Sequence, residues 1–271
     1  MEQVVEQVLA NVRQQLGEQY TLDDLAKMAM FSKFHFARMF RQVTGVSPRR
    51  FLYALRLQEA KRLLVTTSLS VAEVSHQVGY SSVGTFTSRF TASVGVPPAV
   101  YRRVRGDVTS VLHDVPPDPQ AAGVITGRLE VTGGAVLGGP ILVGLFRQPL
   151  PEGVPTRSEV VREPGDWTLR HVPSGRWYVL AVSPPPDDDS PMTSERQAMM
   201  NMSGPVRLAP EAPTAHVTIR LRPMRPVDPP ILVPLAGLLH KGESPEAADG
   251  SADTARLRAS GWRPVLASSS A

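Results

Sequence analysis

The sequence predicts a multidomain chain: an all-α head, an all-β antiparallel sandwich behind it, and a disordered C-terminal tail. Three observations carry this. Helical periodicity of apolar residues holds in residues 1–106 and gives way to alternation from Gly123. Of the 26 prolines only Pro48, Pro97 and Pro98 lie in residues 1–106, so long helices are possible there and not beyond. Charge divides at the same place: residues 1–106 hold 14 Lys and Arg against 7 Asp and Glu, or +7, whereas residues 107–271 hold 15 against 18, or −3, within a total of +4. The mildly basic average therefore conceals a strongly basic head. At roughly 150 residues per domain the length suits two domains. The boundary falls in the aperiodic stretch Val115-Pro-Pro-Asp-Pro-Gln-Ala-Ala. The expected division is a head over 1–106, a linker over 107–120, a sandwich over 121–226, and an extended apolar segment with a disordered tail over 227–271.

Within the head, Val4, Val5, Val8, Leu9, Val12 and Leu16 recur at helical spacing and predict a first amphipathic helix ended by Gly17. Thr21, with Asp24 three residues on, has the residue types of a capped helix start, and Leu22, Leu25, Ala26 and Ala29 are the inward residues of that short helix. Ser32 restarts a second helix with Phe36, Phe40 and Val43 on one side, ended by Gly45. Two short helices joined by Ala29-Met-Phe-Ser make a helix-turn-helix candidate. The layout then returns. Ser70 caps a helix bearing Val71, Val74 and Val78, Gly79-Tyr-Ser makes the turn, and Phe86, Phe90 and Val94 line a helix running to Gly95. Pro48 opens a long helix between the copies, carrying Phe51, Leu52, Leu55, Ala60, Leu63 and Leu64.

These residues resemble the DNA-binding domain of the AraC/XylS family of transcription regulators. The match runs from Ser32-Lys-Phe-His-Phe-Ala-Arg-Met-Phe-Arg-Gln-Val-Thr-Gly-Val-Ser-Pro, through Arg56-Leu-Gln-Glu-Ala-Lys-Arg-Leu-Leu, to Val74-Ser-His-Gln-Val-Gly-Tyr-Ser-Ser and Gly95-Val-Pro-Pro-Ala-Val-Tyr-Arg-Arg. In most of the family this domain follows an effector-binding domain; here it comes first. The resemblance implies a sequence-specific regulator whose two recognition helices read successive major-groove segments. On the first, Phe34, Ala37 and Arg38 are the implied base-facing residues. The Arg38 guanidinium can donate twice to guanine O6 and N7, Phe34 can pack on a thymine methyl, and Lys33 and Arg41 suit phosphates. On the second, Ser82, Val83, Gly84, Thr85 and Ser88 are small, and Arg89 is the one long polar side chain nearby. The first unit is therefore expected to discriminate bases and the second to supply phosphate contacts and shape readout. Arg49, Arg50, Lys61, Arg62, Arg102, Arg103 and Arg105 are expected to add nonspecific attraction that falls with salt.

Alternation around Ile125, Leu129 and Val131, then Ile141-Leu-Val-Gly-Leu-Phe, Trp167-Thr-Leu-Arg, Arg176-Trp-Tyr-Val-Leu-Ala-Val and Ala215-His-Val-Thr-Ile-Arg-Leu predicts short strands between Gly/Pro turns. Their order resembles the carboxypeptidase-regulatory or transthyretin-like sandwich over about residues 121–223. Its most telling piece is Val172-Pro-Ser-Gly-Arg-Trp-Tyr-Val, read as a tight reversal between two strands; an immunoglobulin-like sandwich is the structural alternative. Ser183 to Ser203 reads as a long loop. Its Asp187, Asp188 and Asp189 are a solvated run or a hard-metal site, and Met192, Met199, Met200 and Met202 a short helix over the sandwich mouth or a ligand or soft-metal surface. Asp228-Pro-Pro-Ile-Leu-Val-Pro-Leu-Ala-Gly-Leu-Leu reads as an extended apolar segment that covers a sheet edge or meets a partner.

No cysteine is present, which excludes disulfide scaffolds, Cys-ligated metal and thiol nucleophiles. His35, His76, His113, His171, His216 and His240 form no metalloprotease spacing, and no phosphate loop or nucleophile elbow occurs. The reading is a non-enzyme without a cofactor. The apolar runs Ala135 to Phe146 and Ile231 to Leu239 fall short of the roughly 20 residues a membrane helix needs, and the Met-Glu-Gln start lacks a signal pattern, so a cytoplasmic protein without a membrane partner is expected. Expected partners are double-stranded promoter or operator DNA, RNA polymerase, and a second copy or an effector at the sandwich. The rival reading is a protein- or sugar-binding sandwich with the helical part as a tether.

Overall fold

The computed structural model describes residues 1–108, 121–134, 137–184 and 198–233, together with Val111, Leu235 and Leu239. The expected disordered tail, most of the linker, and the Asp187–Asp189 and Met192 alternatives lie outside the described residues.

The head is built from α1 (Glu2–Gln14), α2 (Leu22–Met28), α3 (Lys33–Thr44), α4 (Pro48–Thr66), α5 (Val71–Gln77), α6 (Val83–Val94) and α7 (Pro98–Arg103). α1 stops at Gln14, ahead of Gly17, and Leu22 is exposed on the first turn of α2 rather than inward. Both short first helices start with a capping box. The Thr21 hydroxyl accepts from the Asp24 N–H while the Asp24 carboxylate accepts from the Thr21 N–H, and Ser70 and Glu73 repeat the exchange. Both end alike too. The Phe31 N–H donates to the Ala26 carbonyl and the Met30 N–H to Lys27, as the Tyr80 N–H donates to Ser75 and the Gly79 N–H to His76.

The internal repeat extends to the packing of side chains. Phe36 and Phe40 sit 5.5 Å apart at 53°, with Phe51 edge-on to Phe40. Phe86 and Phe90 sit 5.7 Å apart at 52°, with Tyr101 edge-on to Phe90. The start of α4 thus serves the first unit as α7 serves the second. Arg56 ties α4 to the connection between α1 and α2: its Nε donates to the Leu16 carbonyl at 3.1 Å and its Nη2 to the Glu18 carbonyl at 2.5 Å. Burial pulls the pKa of its guanidinium below the ordinary value, the backbone carbonyls taking the place of water.

The second part contains β1 (Gly123–Val131), β2 (Ile141–Phe146), β3 (Ser158–Val161), β4 (Asp166–Val172), β5 (Gly175–Ser183), β6 (Met199–Leu208) and β7 (Thr214–Pro223), hydrogen-bonded in the order β3-β2-β5-β6-β7-β1-β4. A helical head followed by a β-rich unit is therefore present, with three corrections. First, β1 and β7 pair in parallel over Val124–Val131 and Thr214–Leu221, so the sheet is not all-antiparallel. Parallel partners need a long crossover, which the intervening strands supply; alternation alone carries no strand direction. Secondly, the segment around Pro173 is not a hairpin, because β4 pairs with β1 whereas β5 pairs with β2 and β6. It carries the chain across the core, where the Trp177 indole N–H donates to the Pro173 carbonyl at 2.8 Å. Thirdly, Met199, Met200 and Met202 lie on strand β6 and not on a helix. Met199 packs in the main β core, and Met200 and Met202 on the opposite face with Leu142, Phe146 and Leu180, which is strand alternation.

The sheet curls towards closure. The Thr168 N–H on edge strand β4 donates to Glu159 on edge strand β3 at 2.8 Å, and both halves of the sheet surround Trp177 in one core.

Head and sheet meet along a packed seam. Val227 and Leu232 join the helical core while Ile231 and Val233 cover the outer face of the sheet, so successive residues of one extended segment serve opposite sides. Leu150 and Val154, from the loop after β2, also pack on the head. Arg50 on α4 is hydrogen-bonded to Glu152 and donates to Gln148 at 3.1 Å, and the Arg13 guanidinium donates to the Pro226 carbonyl at 2.6 Å.

Candidate nucleic-acid interface

α3 is held by its ends and by one apolar face. The Ser32 hydroxyl accepts from the His35 N–H at 3.4 Å, Gly45 closes the helix with φ 79°, and Phe36, Met39 and Phe40 are buried. The residues left facing outward include Phe34, Arg38 and Arg41, spaced four and three apart and thus on one stripe. Phe34 is 79% exposed, an unusual state for a phenyl ring. Lys33 stands beside it, 5.7 Å from the ring centroid and 3.9 Å from Asp23. Ala37 is half-buried. Among the described residues no carboxylate reaches Arg38 or Arg41, so both guanidinium groups face solvent with their donors uncommitted to ion pairs. His35, whose ring stacks on Phe31 at 4.7 Å, and Gln42 are the other exposed side chains beside this stripe on α3.

α6 repeats the frame with other side chains. The Ser82 hydroxyl accepts from the Thr85 N–H at 3.4 Å, so one of its acceptor sites serves the helix cap. Gly84, Thr85 and Ser88 are exposed, and Val83 is half-buried. At the 50-residue offset of the repeat, Phe34 corresponds to Gly84 and Arg38 to Ser88, so the second stripe lacks both the ring and the guanidinium. Arg89 corresponds instead to buried Met39. Its guanidinium lies 4.6 Å from the centroid of Tyr53 on α4, on the side of α6 that faces the linker helix.

Four of the seven cations expected to add diffuse attraction have structural roles. Arg50 is held by Glu152, Lys61 is 1% exposed and donates to the Ile231 carbonyl, Arg62 is doubly bonded to Glu59, and Arg102 donates to the Leu64 carbonyl. Arg49, Arg103 and Arg105 are exposed. A sequence shows the charge but not which way the side chain turns, and α4 is buried on nearly every side.

Among the described residues no three His, Asp or Glu side chains gather as a metal site, and no helix is long and apolar enough to cross a membrane.

A helix-turn-helix domain model matches residues 25–104. The chain is similar to the Transposon Tn10 TetD protein of Escherichia coli, 34% identical over 100 residues that make up 37% of this chain and 72% of that protein. It is likewise 34% identical over 94 residues to YobQ, an uncharacterized HTH-type transcriptional regulator of Bacillus subtilis, a match covering 35% of this chain and 39% of that protein. The chain thus spans well under half of that relative's length. Among solved structures, the DNA-binding domain of AdpA in complex with a target DNA is 35% identical with a TM-score of 0.36, covering 37% of this chain and 90% of that one.

Proposed function

The chain belongs to the AraC-type helix-turn-helix transcription regulators, and on that premise we propose that its two units bind successive major-groove segments of an operator, with α3 as the principal reader. The observation that carries this reading is the exposed stripe Phe34, Arg38 and Arg41 on an N-capped helix. Arg38 donates to a guanine edge, Phe34 packs against a thymine methyl with Ala37 beside it, and Lys33 and Arg41 hold phosphates. On α6, Ser82, Val83, Gly84, Thr85 and Ser88 permit close approach and read shape and backbone. Arg89 is the member of the expected set least suited to DNA, because its charge rests over Tyr53.

The head over 1–106 is the DNA-binding unit in this reading. The β unit keeps the carboxypeptidase-regulatory or transthyretin-like assignment, supported by seven strands around one core, and provides dimerisation or effector binding, with RNA polymerase as a further partner. Mobility shift with the full chain tests the DNA reading. Arg38→Ala should weaken specific binding by about 1–3 kcal/mol and relax preference at one base, leaving nonspecific binding nearly unchanged. Binding by the wild type that shows no preference over random duplex overturns it.

A further inference from the structure

At the seam, a cleft of about 370 Å³ opens between α4, α6 and the loop after β2, within the size range of small-molecule sites. Its walls divide by chemistry. Arg49 and Arg89 flank the Tyr53 ring, their guanidinium carbons 5.5 and 4.6 Å from its centroid. Among the described residues neither has a carboxylate partner, and Glu152, the acid in the wall, is taken by Arg50 and by the Ser93 hydroxyl, which donates to it at 3.1 Å. The Ser47 hydroxyl also lines the cleft and makes no capping hydrogen bond to α4. The remaining wall is apolar, from Leu57, Leu150 and Leu232, side chains contributed by the head, the loop and the extended segment in turn.

Arg49 donates from Nε to the Tyr53 hydroxyl at 2.9 Å, which leaves its terminal nitrogens, and the Arg89 guanidinium, without a carboxylate partner among the described residues; two such cations beside an apolar wall fit a ligand with an anionic end and a hydrocarbon body. A DNA phosphate supplies the first and not the second. Arg89 is also displaced from the outward stripe of α6, at the register of Met39 in the first unit. We propose that this cleft binds a small organic anion, a carboxylate or phosphate monoester on an aromatic or aliphatic body, with Arg49 and Arg89 holding the anion and Leu57, Leu150 and Leu232 the body. The proposal does not depend on which DNA sequence the head reads. It gives a ligand purchase on both recognition-helix packing and the seam, since α6, α4 and the β unit all contribute to one wall.

Isothermal titration of the full chain with benzoate, phenyl phosphate, inorganic phosphate and benzyl alcohol tests this. Benzoate or phenyl phosphate should bind, and whichever binds tighter identifies the anionic group. Benzyl alcohol and inorganic phosphate should each bind at least about tenfold more weakly, since each lacks one half of the chemistry. Arg89→Met, which installs the first unit's residue at this register, and Arg49→Ala should each weaken the favoured probe about tenfold without lowering the melting temperature of the unliganded chain. The proposal is overturned if neither organic anion binds up to about 10 mM, if inorganic phosphate binds as tightly as phenyl phosphate, or if Arg89→Met leaves probe binding unchanged. It is overturned equally if the Arg variants lower affinity for all duplexes and flatten its salt dependence while no probe binds, which would assign both side chains to the DNA backbone.

Discussion

Met30 and Gly79 occupy one position in two copies of the same turn, and they meet it differently. Both are left-handed, with φ 58° and 82°, but Met30 carries its side chain 91% exposed whereas Gly79 has the Arg56 guanidinium and the Gly17 carbonyl under 3 Å from where a Cβ would sit. An L-residue pays for a left-handed conformation with crowding that glycine avoids, partly offset by glycine's freedom when unfolded. Met30→Gly should therefore stabilise the chain by about 0.5 kcal/mol, and Gly79→Ala should destabilise it by about 2 kcal/mol or more, both read from the urea midpoint at constant slope. An unchanged midpoint for Gly79→Ala would mean that Arg56 and the Gly17 backbone both shift aside and that the left-handed conformation costs nothing there. Glycine at 79 signalled a turn in the sequence, but the tight contact beneath it did not, since Arg56 lies 23 positions upstream in the sequence with nothing to mark it as buried. Tyr80, the next residue, has its hydroxyl pKa pushed up to about 12, chiefly by burial.

Elements were legible where a local rule fixed them. The caps at Thr21 and Ser70 depend on residues three positions apart and form as read, and Ser32 and Ser82 cap α3 and α6 in the same way, although Ser82 was expected to serve DNA phosphates. Strand β6 was not legible, because methionine has weak strand propensity and a Met-rich run suits a helix equally well. The extended segment after β7 is a further case: its apolar residues were plain, but not that they face two ways. Asp228 anchors that segment, accepting from Arg222 at 2.6 and 2.8 Å and from the Arg225 N–H at 2.6 Å. Burial pushes its carboxyl up, but these hydrogen bonds outweigh burial and hold the pKa below the ordinary 3.8. A lowered folded pKa means stability present above the unfolded value and lost as the pH falls through the folded one. Asp228→Asn should cost about 1–3 kcal/mol at pH 7, and its difference from wild type should shrink below about pH 4. A difference independent of pH would remove the carboxylate's charge from the explanation.

At the scale of the whole molecule, the charge division did locate a basic head, but several of its cations serve the structure, and the seam joins that head to the sheet more closely than a linker reading suggested. Head core residues come from three places outside 1–106, including Val111, Leu150 and Leu232, and Arg50 bonds across to Glu152. Long-range pairing of this kind leaves no periodic trace in a sequence. Leu232→Ala should lose about 2–5 kcal/mol, with α4 and the sheet affected together, and calorimetry of the full chain should show a single transition whose calorimetric and van't Hoff enthalpies agree. Two separated transitions would mean that the seam does not couple the units.

In the proposed function α3 reads bases through Arg38 while α6 reads mainly shape. Selection of bound duplexes from a random pool, using the full chain and its Arg38→Ala variant, separates the two helices' contributions. The expected outcome is an asymmetric site, with strong base preference in one half that loses a single guanine position in the variant. A site equally informative in both halves, or one unchanged by Arg38→Ala, would contradict it.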